Sequence, residues 1–241
     1  MLRRSFAELW PAAPEPVAVK QDDAMVSLDW EGWSAVVAMM PAPIPWADLE
    51  GPCATSLYWD DAADELMPHK AHAIVTVTGT ASELEMTKRL TRITAAVLRG
   101  HPCVLGVYWG QATLVIPKDM FVELASGLDT ELPLPLWLDT RIVPGQGQRI
   151  SGFTYGMKAL GHMDLAANNC PESPQGLVTR FLNIASYLLE HGPVIKDGDT
   201  VGERSDEKIR VRYGKSAFGH AEPIMMLEYE PRKSLFKRLF G

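Results

Sequence analysis

Cysteine is scarce. The chain has three in 241 residues, Cys53, Cys103 and Cys170, too far apart for any Cys-x-x-Cys pair. A disulfide scaffold or a thiolate zinc knuckle needs more than that. We therefore expect free, buried thiols in a reducing compartment, and a cytoplasmic protein. Long apolar runs are also missing, and none approaches the roughly 20 residues of a membrane span. Residues 1–10 carry Arg3, Arg4 and Glu8 but no apolar h-region, so the sequence predicts no signal peptide. No Gly-x-Ser-x-Gly and no His-Glu-x-x-His occurs. Gly145-Gln146-Gly147 lacks the third glycine and the following helix of a dinucleotide loop. These absences predict no cofactor and no bound metal, and they lean away from an enzyme. Basic charge is short where it would matter. The net charge is −7, the last eleven residues hold +4 and the first ten +1, so the rest of the chain carries −12. A nucleic-acid binder needs a cationic footprint, so no nucleic-acid partner is expected. An acidic body suits a basic protein partner instead.

What is present predicts an α+β fold: antiparallel or mixed sheet with two long helices. The stretch from Pro68 to Pro117 is the most legible. Ala71–Thr78 is short and β-branched, and alternation puts Ala71, Ala73, Val75 and Val77 on a core face. Thr80-Ala81-Ser82-Glu83 has capping-box spacing. Met86, Leu90, Ile93 and Val97 form one helical stripe, and Gly100 and Pro102 end it, so a helix is expected over Ala81–Arg99. Val104–Trp109 and Ala112–Ile116 read as a hairpin around Gly110-Gln111. Strand, helix and returning strand predict a βαβ crossover. With strands at Met25–Trp30, Trp33–Met40 and Ala54–Trp59 and a short helix from Trp46, the first half is expected to be ferredoxin-like.

Further on, Lys118–Ser126 reads as a helix, Leu134–Val143 as a strand, and Ile150–Leu160 with His162–Ala167 as a hairpin. Ser173-Pro174 opens a second long helix, closed by Gly192-Pro193. Short strands at Thr200-Val201, Ile209–Tyr213 and Ile224–Tyr229 follow. Each half thus runs strands, long helix, strands, a faint architectural duplication. We expect an N-terminal segment with a proline-rich linker over 1–23 and a single α+β domain over 24–230, with halves of about 24–127 and 128–230. A basic amphipathic tail occupies 231–241, fit to touch a membrane surface or the protein's own body.

Candidate chemistry is thin. His69 and His72 have a spacing that binds metal on a helix, but at a strand entry they face opposite ways and read as ordinary histidines. Asp60, Asp61, Asp64 and Glu65 cluster within six residues without the pattern of a calcium loop, so a solvated acidic loop is expected. Leu57-Tyr58-Trp59-Asp60 and Val107-Tyr108-Trp109-Gly110 are near copies, each expected to bury one aromatic ring. Tyr58 and Trp59 beside Asp60, Asp61, Asp64 and Glu65 make a candidate protein-binding patch. The alternative is an uncharacterised, hydrolase-like enzyme with a site near His69, His72 and the Asp60–Glu65 loop.

Several stretches resemble a bacterial family known only as domain of unknown function 4261. They are His69–Val77, Gly106-Val-Tyr-Trp109, Pro135-Leu-Trp-Leu138, Thr154–Gly161 and Pro193–Gly202. The resemblance implies a bacterial cytoplasmic protein and carries no activity, cofactor or catalytic residue. By analogy with other small α+β proteins, it suggests an immunity protein or an adaptor of a toxin or secretion system.

Overall fold

The computed structural model describes residues 2–202 and 207–229. The expected tail helix at 231–241 lies outside the described residues. The chain is α+β and forms two compact units, Met1–Asp139 with Ala159–Gly161, and Thr140–Lys158 with His162–Gly241. The dividing point falls at 139/140, beyond the 127/128 join expected from the sequence.

In the first unit, α1 (Leu2–Leu9) buries Leu2 and Phe6, and the Phe6 ring lies 5.6 Å from Trp10 and 5.8 Å from Trp30. Four strands follow in spatial order: β1 (Ala18–Gln21), β2 (Met25–Trp30), β3 (Trp33–Met40) and β4 (His72–Gly79), all antiparallel. β1 lies inside the stretch expected to be linker. Pleating sets Leu28, Ala35 and Val77 in one inner row and Val26, Val37 and Val75 in the next. The predicted core face of β4 is right in direction. Val75 and Val77 are only half-buried, however, and Ala73 is exposed, because β4 is an edge strand.

Between β3 and β4 the chain is helical. α2 (Trp46–Ala54) buries Leu49 and Cys53, four residues apart, and α3 (Ala62–Leu66) buries Ala62. The strand expected at Ala54–Trp59 is absent. That stretch holds a single β-branched residue, Thr55, and its Trp59 ring is drawn into a cluster with Leu49, Cys53, Ala62 and Val115. Burial against this cluster overrides local strand preference.

α4 (Glu83–Gly100) starts later than expected. Ser82 is the N-cap and accepts from the Glu85 backbone N–H at 3.4 Å, so the effective pair is Ser82 and Glu85, not Thr80 and Glu83. The Glu85 carboxylate does not reach back; it pairs with Lys88 at 2.9 Å. Thr87, Thr91 and Thr94 are buried where the stripe of Met86 and Leu90 is only half-buried. The Thr91 hydroxyl donates to the Thr87 carbonyl and accepts from Trp137 Nε1, each at 2.8 Å, which makes its burial tolerable.

β5 (Gly106–Trp109) and β6 (Leu114–Pro117) form the expected hairpin, but as a separate two-stranded sheet. β5 does not return beside β4, so neither the βαβ crossover nor the ferredoxin-like half is present; the four larger strands run as a meander. Cys103, expected buried, is exposed, while Cys53 and Cys170 are buried. α5 (Lys118–Ser126) matches the sequence reading. The first part of the expected strand at Leu134–Val143 is a single helical turn, α6 (Leu134–Trp137), with Pro135 in its first turn, where a missing N–H costs nothing.

In the second unit, six strands lie in the order β10-β11-β12-β9-β8-β7: β7 (Asp139–Pro144), β8 (Ile150–Tyr155), β9 (Leu165–Cys170), β10 (Thr200–Val201), β11 (Ile209–Gly214) and β12 (Ile224–Tyr229). α7 (Pro174–His191) follows β9. Its N-cap Ser173 accepts from Gly176 N–H at 3.1 Å, and Gly192 ends it at φ +79°. β9 and β12 are parallel neighbours, so the crossover connection expected in the first half lies instead in the second, through β9, α7 and β12. A Cβ at Gly152 would sit 2.8 Å from Leu177 Cδ2, so glycine there lets α7 close on the sheet.

Candidate functional site

The acidic patch comes from the turn between α2 and α3 and from α3 itself. Asp60, Asp61, Asp64 and Glu65 are all exposed, and none has an ion-pair partner among the described residues. Leu57 and Met67, at 56% and 60% exposure, bracket them with apolar surface. The element is held from below. Trp59 is 7% exposed within the cluster around Leu49 and Val115, and Ser56 Oγ accepts from the Trp59 and Tyr58 backbone N–H groups at 3.1 and 3.3 Å. Trp59 is thus a core residue rather than a surface anchor. Tyr58 is half-buried, and burial, with the Asp139 charge second, pushes its phenol above the ordinary range.

His69 and His72 are both engaged with backbone. His69 Nε2 accepts from Ile44 N–H at 2.7 Å, which leaves Nδ1 to donate to the Leu66 carbonyl at 2.5 Å. His72 Nδ1 meets the Ala42 carbonyl at 2.8 Å. The two rings therefore hold the Pro41–Pro45 segment, whose prolines cannot donate to a ladder. That role was not visible in the sequence, because the partners lie about 25 to 30 residues away. No group of three or more His, Cys, Asp or Glu side chains that could hold a metal is found among the described residues.

The second unit gathers polar groups that the sequence reading missed. A cleft of about 550 Å³ is lined by Arg180, Asn183, Tyr187, Ile195, Asp199 and Thr200, among others. At its floor Arg180 is 8% exposed, with Nε donating to Glu172 at 2.5 Å and Nη2 to Glu207 at 2.8 Å. Burial works against its charge, but the Glu172 bond and the neighbouring carboxylates outweigh it and raise the pKa. Tyr229 donates to the same Glu172 oxygen, and burial followed by that bond drives its phenol far up. The guanidinium is committed to these partners, so the network fixes α7 rather than reaching out for an anion.

A second cluster lies at Ser216–His220. His220 Nε2 donates to the Thr154 carbonyl and Nδ1 accepts from Ser216 Oγ, both at 2.7 Å, and the ring stacks on Tyr155 at 4.3 Å. Ser216 Oγ also accepts from Phe218 N–H at 2.9 Å, which makes it a turn stabiliser. Asp164 is buried beside Thr154, accepting from the Thr154 hydroxyl and Met157 N–H at 3.1 Å, and burial raises its pKa. The only cue for these groups was a Ser-Pro helix start and scattered polar letters.

The model of a domain of unknown function, DUF4261, matches residues 153–228. This stretch is similar to that family. It runs from within β8 to within β12 and contains α7, the Glu172–Arg180–Glu207 pairs and the His220 cluster. Of the stretches that carried the resemblance, Thr154–Gly161 and Pro193–Gly202 fall inside it, and His69–Val77, Gly106–Trp109 and Pro135–Leu138 fall outside. No curated protein and no solved structure matches the chain. No helix among the described residues is long and apolar enough to cross a membrane.

Proposed function

We propose that this chain is a cytoplasmic protein-binding module rather than an enzyme, and that Asp60, Asp61, Asp64 and Glu65 receive a basic partner. The carrying observation is that these four exposed carboxylates lack ion-pair partners among the described residues, yet stand on an element fixed by Trp59 and Ala62. Unpaired charge on a rigid support steers association without first having to break internal pairs. Leu57, Met67 and the half-buried Tyr58 supply apolar contact beside it. A bacterial immunity protein facing a basic toxin, or an adaptor of a toxin or secretion system, is the setting this reading favours.

The test is capture of the partner from source cytoplasm, then binding kinetics at two salt concentrations. Replacing the four carboxylates with Asn or Gln should slow association by at least about tenfold at low salt and leave the fold intact. An acidic partner, or an unchanged association rate, sinks the reading.

A further inference from the structure

Natural sheets blunt their edges, because an open row of N–H and C=O groups recruits another strand. Three of the four edges of the two larger sheets here are blunted. β1 is four residues long, carries Lys20 and follows Pro16. β10 is two residues long. β7 carries Arg141 and ends in Pro144. The fourth edge, β4, is eight residues long and holds no Pro, Lys, Arg, Asp or Glu. Apart from its ladder with β3, no backbone hydrogen bond reaches His72–Gly79 from any described residue.

We propose that β4 is a homodimerisation edge, pairing antiparallel with β4 of a second copy about a two-fold axis at Thr76. The segment is self-complementary in that register. Val75 of one copy faces Val77 of the other, Ile74 faces Thr78, Ala73 faces Gly79, and Thr76 meets its own equivalent. Every pair is small or β-branched, and no like charges meet, which matters for two bodies that are each acidic. On the inner face the row Val26–Val37–Val75 runs on into Val77–Ala35–Leu28 of the second copy. Each copy thus covers the edge valines that its own sheet leaves half-buried. A two-fold axis makes the same patch serve both chains. The inference is independent of the acidic surface on α3.

Sedimentation of the full chain decides it. A strand-edge contact is small, so dissociation in roughly the micromolar range is expected, and mass should rise from 26.6 kDa toward twice that as the chain is concentrated. Thr76 is exposed, so Thr76→Lys should fold normally and stay monomeric, through repulsion on the axis. Thr76→Glu should do the same, and an equimolar mixture of the two variants should dimerise again. Alternate β4 amides should gain hydrogen-exchange protection with concentration in the native chain alone. A native chain that stays monomeric up to about 500 µM overturns the proposal, as does a dimer that Thr76→Lys leaves intact.

Discussion

Leu57-Tyr58-Trp59-Asp60 and Val107-Tyr108-Trp109-Gly110 are almost the same tetrapeptide in two different backbones. The first lies in the turn between two helices, and the second is most of a strand. Yet burial is alike: Trp59 and Trp109 are 7% and 5% exposed, and Tyr58 and Tyr108 are both half-buried. The two copies also meet. Tyr108 packs on the cluster that holds Trp59, and a Cβ at Gly106 would lie 2.6 Å from Trp59 Cζ3. The shared letters specify how much ring is hidden, and tertiary packing decides the backbone that hides it.

The largest expected effect tests that equivalence. Trp59→Ala and Trp109→Ala should each destabilise the first unit by about 3–5 kcal/mol, the cost of deleting a buried ring. Gly106→Ala should also destabilise, by driving a methyl into the Ile116 carbonyl oxygen and the Trp59 ring. Combined with Trp59→Ala it should cost somewhat less than the sum, because one of the two obstructions is gone while the Ile116 carbonyl remains. Urea midpoints of the four variants measure this. A Trp59→Ala variant as stable as the native chain would return that ring to the surface and break the comparison.

The legible parts of the sequence were those where one local signal dominates. Ser173-Pro174 and Gly192 bracket α7, and α5 has the bounds that its sequence predicts, Lys118–Ser126. The failures share a cause. At Ala54–Trp59 and Leu134–Trp137, apolar letters suggested strand, but buried partners far along the chain, Val115 for one and Thr91 for the other, drew them into turns and helix. The local run of strand, helix and strand predicts a crossover after β4, whereas non-local pairing gives it to β9 and β12. The acidic residues of the candidate site were legible as charges; their support by Trp59 was not. The Glu172–Arg180–Glu207 network joins residues up to 27 apart and left no local pattern to find.

A smaller effect sharpens the same lesson on a second near-duplicate. Thr80 to Glu83 and Ser82 to Glu85 both have capping-box spacing, and Ser82 is the one used. Ser82→Ala should cost about 1 kcal/mol, as should Ser173→Ala at the corresponding place on α7, while Thr80→Ala should change little. Urea melts of the three variants compare them directly. An equal loss at Thr80 would mean that both boxes contribute and that the choice between them is not exclusive.

The smallest effect, near zero at neutral pH, asks whether the two tyrosines are as equivalent as the tryptophans. Burial raises the phenol pKa of both, with Asp139 adding to the shift at Tyr58 and Asp48 at Tyr108. In the unfolded chain each should titrate near about 10. A folded pKa above the unfolded one means that the stability tied to the protonated phenol is fully present below about pH 10. It is lost as pH rises through the folded value, because the unfolded chain releases its proton first. Tyr58→Phe and Tyr108→Phe should therefore match the native chain at pH 7. From about pH 10 upward they should lose stability less steeply, since the phenylalanine variants have no such proton to release. Urea midpoints taken across that range give the slope for each. Should one variant follow the native chain throughout while the other departs from it, the hydroxyl of the first is solvated. The two copies would then be alike in their tryptophans and different in their tyrosines.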